Sequence, residues 1–120
     1  MRTINQLKAD KWNEMKAARD AALLAPLVTP FGTFDASVPA QKSITDAVLM
    51  LQTLASLGTP TDIDFTLADN TTVTLTTPQM VQVGLMLGQR TQQAYAQARA
   101  LRAQIESATD AAAVAAITWI

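Results

Sequence analysis

The segment from Asp62 to Thr76 constrains the fold most, because its alternation of apolar and polar residues predicts a β-hairpin. The alternating apolar positions are Ile63, Phe65 and Leu67 on the first arm and Val73 and Leu75 on the second. A long helical pattern follows at once, beginning with Thr77 as N-cap and Pro78 at the first helical position. The chain therefore predicts a hairpin that leads directly into its longest helix.

The register of this hairpin follows from the parity of its apolar positions. Residues directly opposite each other share a face of the sheet, so we expect the pairs Leu67–Val73 and Phe65–Leu75. A two-residue loop would pair apolar with polar residues, so the loop must contain an odd number of residues or carry a bulge. Asp69 and Asn70 tolerate positive φ and mark the bend.

Two more helices are predicted from the 3.6-residue spacing of apolar residues, at 3–24 and 38–57. Thr3 and Ser37 are the expected N-caps, and Gly58 is the expected left-handed residue after the second helix. A short last helix is expected from Asp110 to Ile117, with Thr109 as its cap. Residues 27–35 form a short extended segment in which Phe31 and Phe34 cannot share one face, so Gly32 distorts it or only one Phe is core.

Small and apolar residues repeat every seven positions along the third helix, 77–107, which predicts a seam that packs on another helix. The two columns are Met80, Leu87, Ala94 and Leu101, and Gly84, Thr91, Ala98 and Ile105. The partner is helix 1 of the same chain or the same helix of another subunit, and packing within the chain is the default.

We therefore predict an α+β fold, mainly helical, with three main helices and a short C-terminal helix packed on a small antiparallel β-hairpin sheet. At 120 residues the chain is expected to be a single domain over 1–120, with an N-terminal helix at 1–24 and a compact α+β body at 25–120.

The composition argues against several classes of function. The chain has no Cys and no His, and its net charge is −1, so we expect no thiol chemistry, no nucleic-acid partner and no membrane partner. Asp62 and Asp64 read as solvated carboxylates and the Asp69-Asn70 pair as a turn, so no metal, cofactor, small molecule or catalytic residue is predicted. An enzyme would need Asp35, Asp62, Asp64 or Asp69 to converge in a pocket.

Apolar residues on the first helix and at the C-terminus predict a protein interface. Large apolar side chains at a terminus need burial, in this chain or in a neighbour. The predicted interface residues are Ile4, Leu7, Trp12, Met15, Trp119 and Ile120.

The order of these elements resembles a small uncharacterised domain family found in tailed-phage tail fibre and tail-fibre-assembly proteins. The likeness covers roughly residues 1–120 and is strongest in the hairpin, where Phe65 takes the place of an aromatic that precedes A-D-N, and in the C-terminal segment. The matching C-terminal positions are Leu101, Arg102, Ile105, Ala116, Ile117 and Trp119.

The resemblance implies a structural component of a bacteriophage tail, at the baseplate or the fibre attachment, and brings no catalytic residues. The implied partners are other tail or fibre proteins and further copies of the chain, with a trimer favoured by fibre symmetry. The implied location is the virion after synthesis in the host cytoplasm. The alternative is a tail-fibre assembly chaperone that the mature particle does not retain.

Overall fold

The computed structural model describes residues 1–120 and contains four helices and four short strands. In chain order these are α1 (Ile4–Leu24), β1 (Leu27–Thr29), β2 (Gly32–Phe34), α2 (Val38–Ser56), β3 (Ile63–Thr66), β4 (Thr72–Leu75), α3 (Thr77–Ser107) and α4 (Ala111–Ala115). The predicted α+β, mainly helical fold is confirmed. The strands form two separate antiparallel hairpins, β1–β2 and β3–β4. The sequence predicts only the second as a hairpin and residues 27–35 as an extended segment.

Contacts group the chain into two units. Unit 1 contains Met1–Leu23 and Thr91–Ile120, and unit 2 contains Leu24–Arg90. The first boundary lies at the predicted end of the N-terminal helix, but residues 91–120 group with that helix and not with the predicted body at 25–120. A single domain over the whole chain stays a prediction.

Unit 2 has an apolar core built from both hairpins, α2 and the first half of α3. Phe34, at the end of β2, is fully buried, and its ring centroid lies 5.3 Å from that of Phe65 on β3. Phe31 is only partly buried because it lies in the tight turn between β1 and β2, where its N–H donates to the Thr29 hydroxyl. The buried core residues are Leu27, Phe34, Ile44, Ala47, Leu51, Leu75, Met80, Val83 and Leu87.

The register of the β3–β4 hairpin differs from the predicted one by two residues. The observed pairs are Ile63–Leu75, Asp64–Thr74, Phe65–Val73 and Thr66–Thr72. The five-residue connection has the predicted odd length. Its tight turn is closed by the N–H of Asn70 on the carbonyl of Leu67, and Asn70 adopts φ 67°. This turn places Leu67 beyond the strand, opposite Thr71, and thereby sets the pairing.

The side chain of Asp69 holds this turn. Its Oδ1 atom accepts from the hydroxyl of Thr71 at 2.6 Å and from the N–H of Thr71 at 3.0 Å. These hydrogen bonds favour the ionised carboxylate and lower the pKa of Asp69 below its usual value of 3.8. Asp69 is therefore a structural turn residue.

Most helix caps lie where the sequence predicts them. Thr3 and Gln6 form a reciprocal capping box at the start of α1, and the Ser37 hydroxyl accepts from the N–H of Ala40 in α2. Gly58 has φ +79°, and the bonds Gly58 N–H to Ala55 and Thr59 N–H to Leu54 complete a Schellman motif.

Two predicted caps are wrong by one residue. Thr76, not Thr77, caps α3, because Thr76 and Gln79 exchange hydrogen bonds between their side chains and backbone N–H groups. Asp110, not Thr109, caps α4, because its carboxylate accepts from the N–H of Ala113 at 2.8 Å. In both places two adjacent polar residues could cap the helix, and the backbone places the other one at the N-cap position.

Replacing the true cap of α3 is expected to cost more than replacing its neighbour. Thr76→Ala should lower the free energy of unfolding by about 1 kcal/mol, the usual cost of losing a capping hydroxyl. The buried hydroxyl of Thr77 has no hydrogen-bond partner, so Thr77→Val should leave stability unchanged or raise it. Urea denaturation followed by circular dichroism measures both, and the reverse ranking would contradict this cap assignment.

Unit 1 contains α1, the second half of α3 and the C-terminal segment. Its buried cluster joins Met15 of α1 to Leu101 and Ile105 of α3, and to Ile117. The ammonium group of Lys8 donates to the carbonyl of Glu106 at 3.0 Å. The face of α1 thus packs within its own chain, as the default interpretation predicts. The first column of α3 residues that repeats every seven positions is buried along its whole length, with Met80 and Leu87 in unit 2 and Ala94 and Leu101 in unit 1.

Candidate protein-docking surfaces

The six residues predicted to form an interface differ widely in exposure. Met15 is only 1% exposed, so unit 1 itself accounts for its burial. Trp12 and Trp119 are partly buried against the same cluster, and the guanidinium of Arg102 lies 5.0 Å from the Trp12 ring centroid. Ile4 and Leu7 are partly buried on α1, and Ile120 is 99% exposed. Their assignment to a partner interface stays a prediction.

The four aspartates that an enzyme hypothesis would need converge only in part. Asp35 and Asp64 line one cleft, while Asp62 and Asp69 are not among its lining residues. All four are exposed. No group of three or more acidic, His or Cys residues is arranged to hold a metal ion. None of the helices has the length and apolar character that a membrane crossing requires.

An apolar groove lies between α2 and α3 on the surface of unit 2, and we name it the α2–α3 groove. Its volume is about 380 Å³, and no charged residue lines it. Leu49 and Leu85 stand at its sides and are 65% and 61% exposed. A Cβ atom on Gly84 would lie 2.9 Å from a methyl group of Val48, so this glycine permits the close approach of the helices. The lining residues are Thr45, Val48, Leu49, Gln52, Val81, Gly84 and Leu85.

A second depression, the β3-edge cleft, lies between β3 and the first half of α2. Its volume is about 560 Å³. Its charged lining residues are Asp35, Asp46 and Asp64, and it has no basic lining residue. Asp46 is paired with Lys42 at 2.6 Å, one turn away on α2. The cleft also has apolar surface from Met50, Ile63 and Phe65.

Residues 6–118 match the protein-family model described as Domain of unknown function (DUF4376). The chain belongs to this family. No curated protein and no solved structure matches it. The DUF4376 description assigns no activity, ligand or partner.

None of the residues that line these two surfaces of this DUF4376 member belongs to the predicted interface. Leu49 and Leu85 carry a signal in the sequence, because each is a large apolar residue one position away from the core stripe of its helix. Apolar residues off the core stripe are typical of contact surfaces when they meet in one patch. Sequence periodicity alone could not show that these two leucines share a groove.

Proposed function

We propose that this chain is a structural protein of a bacteriophage tail, at the baseplate or the fibre attachment, that acts by assembling with other proteins and with copies of itself. The phage setting comes from the resemblance of the hairpin and the C-terminal segment to domains of tail fibre and tail-fibre-assembly proteins. The assembly role is supported by the α2–α3 groove.

The groove suits a second copy of the chain. It lacks charged residues, so it favours an apolar and uncharged partner surface. Leu85 is 61% exposed and lines the groove, so one patch carries both a protruding side chain and a recess. Copies can meet head to tail through such a patch, because each inserts its protrusion into the recess of the next, and three contacts of this kind close a ring.

The energetics fit a modest interface. Burying an exposed Leu contributes about 1.5–3 kcal/mol, and each copy supplies Leu49 and Leu85. Association costs part of this gain in lost translational and rotational freedom. In a tail, many copies held at high local concentration make such contacts sufficient, and fibre symmetry favours a trimer.

A charge placed in the groove tests this proposal. We expect the wild-type chain to show a multiple of its monomer mass in light scattering after size-exclusion chromatography. Leu85→Asp should weaken self-association at least about thirtyfold and yield monomer, because an unpaired carboxylate would be buried. Val38→Asp is the matched control, since Val38 is 72% exposed and does not line the groove.

Two results would contradict self-association through the groove. One is a wild-type chain that stays monomeric at every concentration, and the other is an equal effect of Leu85→Asp and Val38→Asp. Mass spectrometry of purified phage particles tests the structural role itself. We expect stoichiometric amounts of the chain there, and its absence would instead match an assembly chaperone.

A further inference from the structure

The β3-edge cleft borders a strand edge that has no partner. β3 pairs with β4 on one side only. The N–H of Leu67 donates to Thr71 at 2.8 Å, which makes this a hydrogen-bonded pair. In an antiparallel ladder such pairs alternate with pairs whose backbone groups point outward. Asp64 and Thr66 are therefore the residues of β3 that direct their N–H and C=O groups away from β4.

One residue just after β3 already makes a backbone hydrogen bond on this outward side. Ala68 is the next residue in the same alternation, and its N–H donates to the carbonyl of Thr33 on β2 at 2.9 Å. After β2 the chain leaves this edge and enters α2. The backbone groups of Asp64 and Thr66 therefore have no hydrogen-bond partner in the structure. The cleft lies beside these two residues, both of which line it.

We propose that the β3-edge cleft binds an extended, basic segment of another protein, which adds as a strand to the free edge of β3. The four residues of β3 offer an edge of about 13 Å. Backbone hydrogen bonds to Asp64 and Thr66 supply the pairing, as in other cases of strand addition. Lysine or arginine side chains of the segment then meet Asp35 and Asp64, and alternate apolar residues meet Phe65.

Charge identifies the occupant as a different protein. Residues 21–89 contain five aspartates and one lysine, so the surroundings of the cleft attract a basic partner. All Lys and Arg residues of this chain lie in helices except Arg2. A second copy of the chain therefore has no extended basic segment to offer. This inference concerns a surface separate from the α2–α3 groove and does not depend on self-association there.

Titration with short peptides tests this proposal on the wild-type chain. A peptide of alternating lysine and valine should bind, and its glutamate–valine counterpart should not. Binding should slow the hydrogen exchange of the Asp64 and Thr66 amides, measured by nuclear magnetic resonance, and should weaken as salt increases. A lysine–valine peptide methylated on alternate backbone nitrogens keeps its charge but loses its edge donors, so its dissociation constant should rise at least about tenfold.

Variants of the chain separate strand addition from simple charge attraction. Thr66→Pro removes an outward N–H and should abolish binding, whereas Thr72→Pro makes the same change on the outer edge of β4 and should not. Asp35→Asn with Asp64→Asn should weaken binding at least about tenfold, with Asp62→Asn as the control outside the cleft.

Three outcomes would overturn the proposal. The first is the absence of lysine–valine binding at millimolar peptide. The second is a dissociation constant that stays the same both when the peptide is methylated and when Thr66 is replaced by proline. The third is dispersal of an oligomer of the chain by Thr66→Pro, which would make this edge a contact between copies. A monomeric wild-type chain that still binds the peptide would contradict only self-association through the α2–α3 groove, so the two proposals fail separately.

Discussion

Phe34→Ala is expected to lower the free energy of unfolding of unit 2 by about 3–5 kcal/mol. The Phe34 side chain is fully buried in the core of unit 2, so its loss leaves a cavity that the surrounding residues fill only in part. The tilted contact with the ring of Phe65, at 5.3 Å between centroids, is lost as well. Chemical denaturation followed by circular dichroism measures the change.

Phe31→Ala is the matched control, because it deletes the same side chain three residues away. Phe31 is only partly buried in the β1–β2 turn, so we expect a loss of about 1 kcal/mol. Equal losses for the two variants would contradict the assignment of Phe34 as the core aromatic of this hairpin.

Gly32→Val is expected to lower the free energy of unfolding by about 3 kcal/mol, through two effects that add. Gly32 adopts φ +130°, which L-residues rarely adopt and which costs roughly 1–3 kcal/mol at a single site. A Cβ atom there would also lie 2.6 Å from a methyl group of Leu67, so the side chain must move. The same denaturation experiment measures the loss.

Gly88→Ala provides the control for a glycine that the backbone does not require. Gly88 lies within α3, and a Cβ atom there meets nothing within 4 Å. Alanine favours the helix, so we expect a gain of about 0.5–1 kcal/mol. A gain at Gly32, or a loss at Gly88, would show that the two positions are assigned the wrong roles.

Helix positions could be predicted closely from local signals. Caps, prolines and the glycine after α2 act over a few residues, so the predicted bounds of the first three helices agree with the observed ones within one residue. The errors at Thr77 and Thr109 arose where adjacent residues carry equivalent capping groups. Residues 27–35 are predicted only as an extended segment and not as the β1–β2 hairpin, because strands of three residues are too short to show a period.

The hairpin register shows what a local pattern leaves open. Parity decides which residues share a face, but registers two residues apart satisfy the same parity. The observed choice depends on the turn at Asn70 and on Leu67, which packs beside Gly32 in the other hairpin. That contact joins distant parts of the chain, and the alternation of residues in one hairpin contains no information about it.

The two candidate surfaces also depend on contacts between residues that are far apart in the sequence. The groove needs Leu49 of α2 next to Leu85 of α3, and the cleft needs Asp35 next to Asp64. Neither pair is close in sequence. The composition did indicate the acidic character of this region, since five aspartates and one lysine fall between residues 21 and 89.

The confinement of basic residues to helices has a consequence for proteolysis. Between Arg19 and Arg90 the chain offers trypsin a single cleavage site, Lys42, which lies inside α2 and is paired with Asp46. A protease needs an extended segment in its active site, so cleavage there requires α2 to unwind locally. The rate of this one cut therefore reports on the opening of α2, and a ligand that stabilises unit 2 would slow it without any label on the protein.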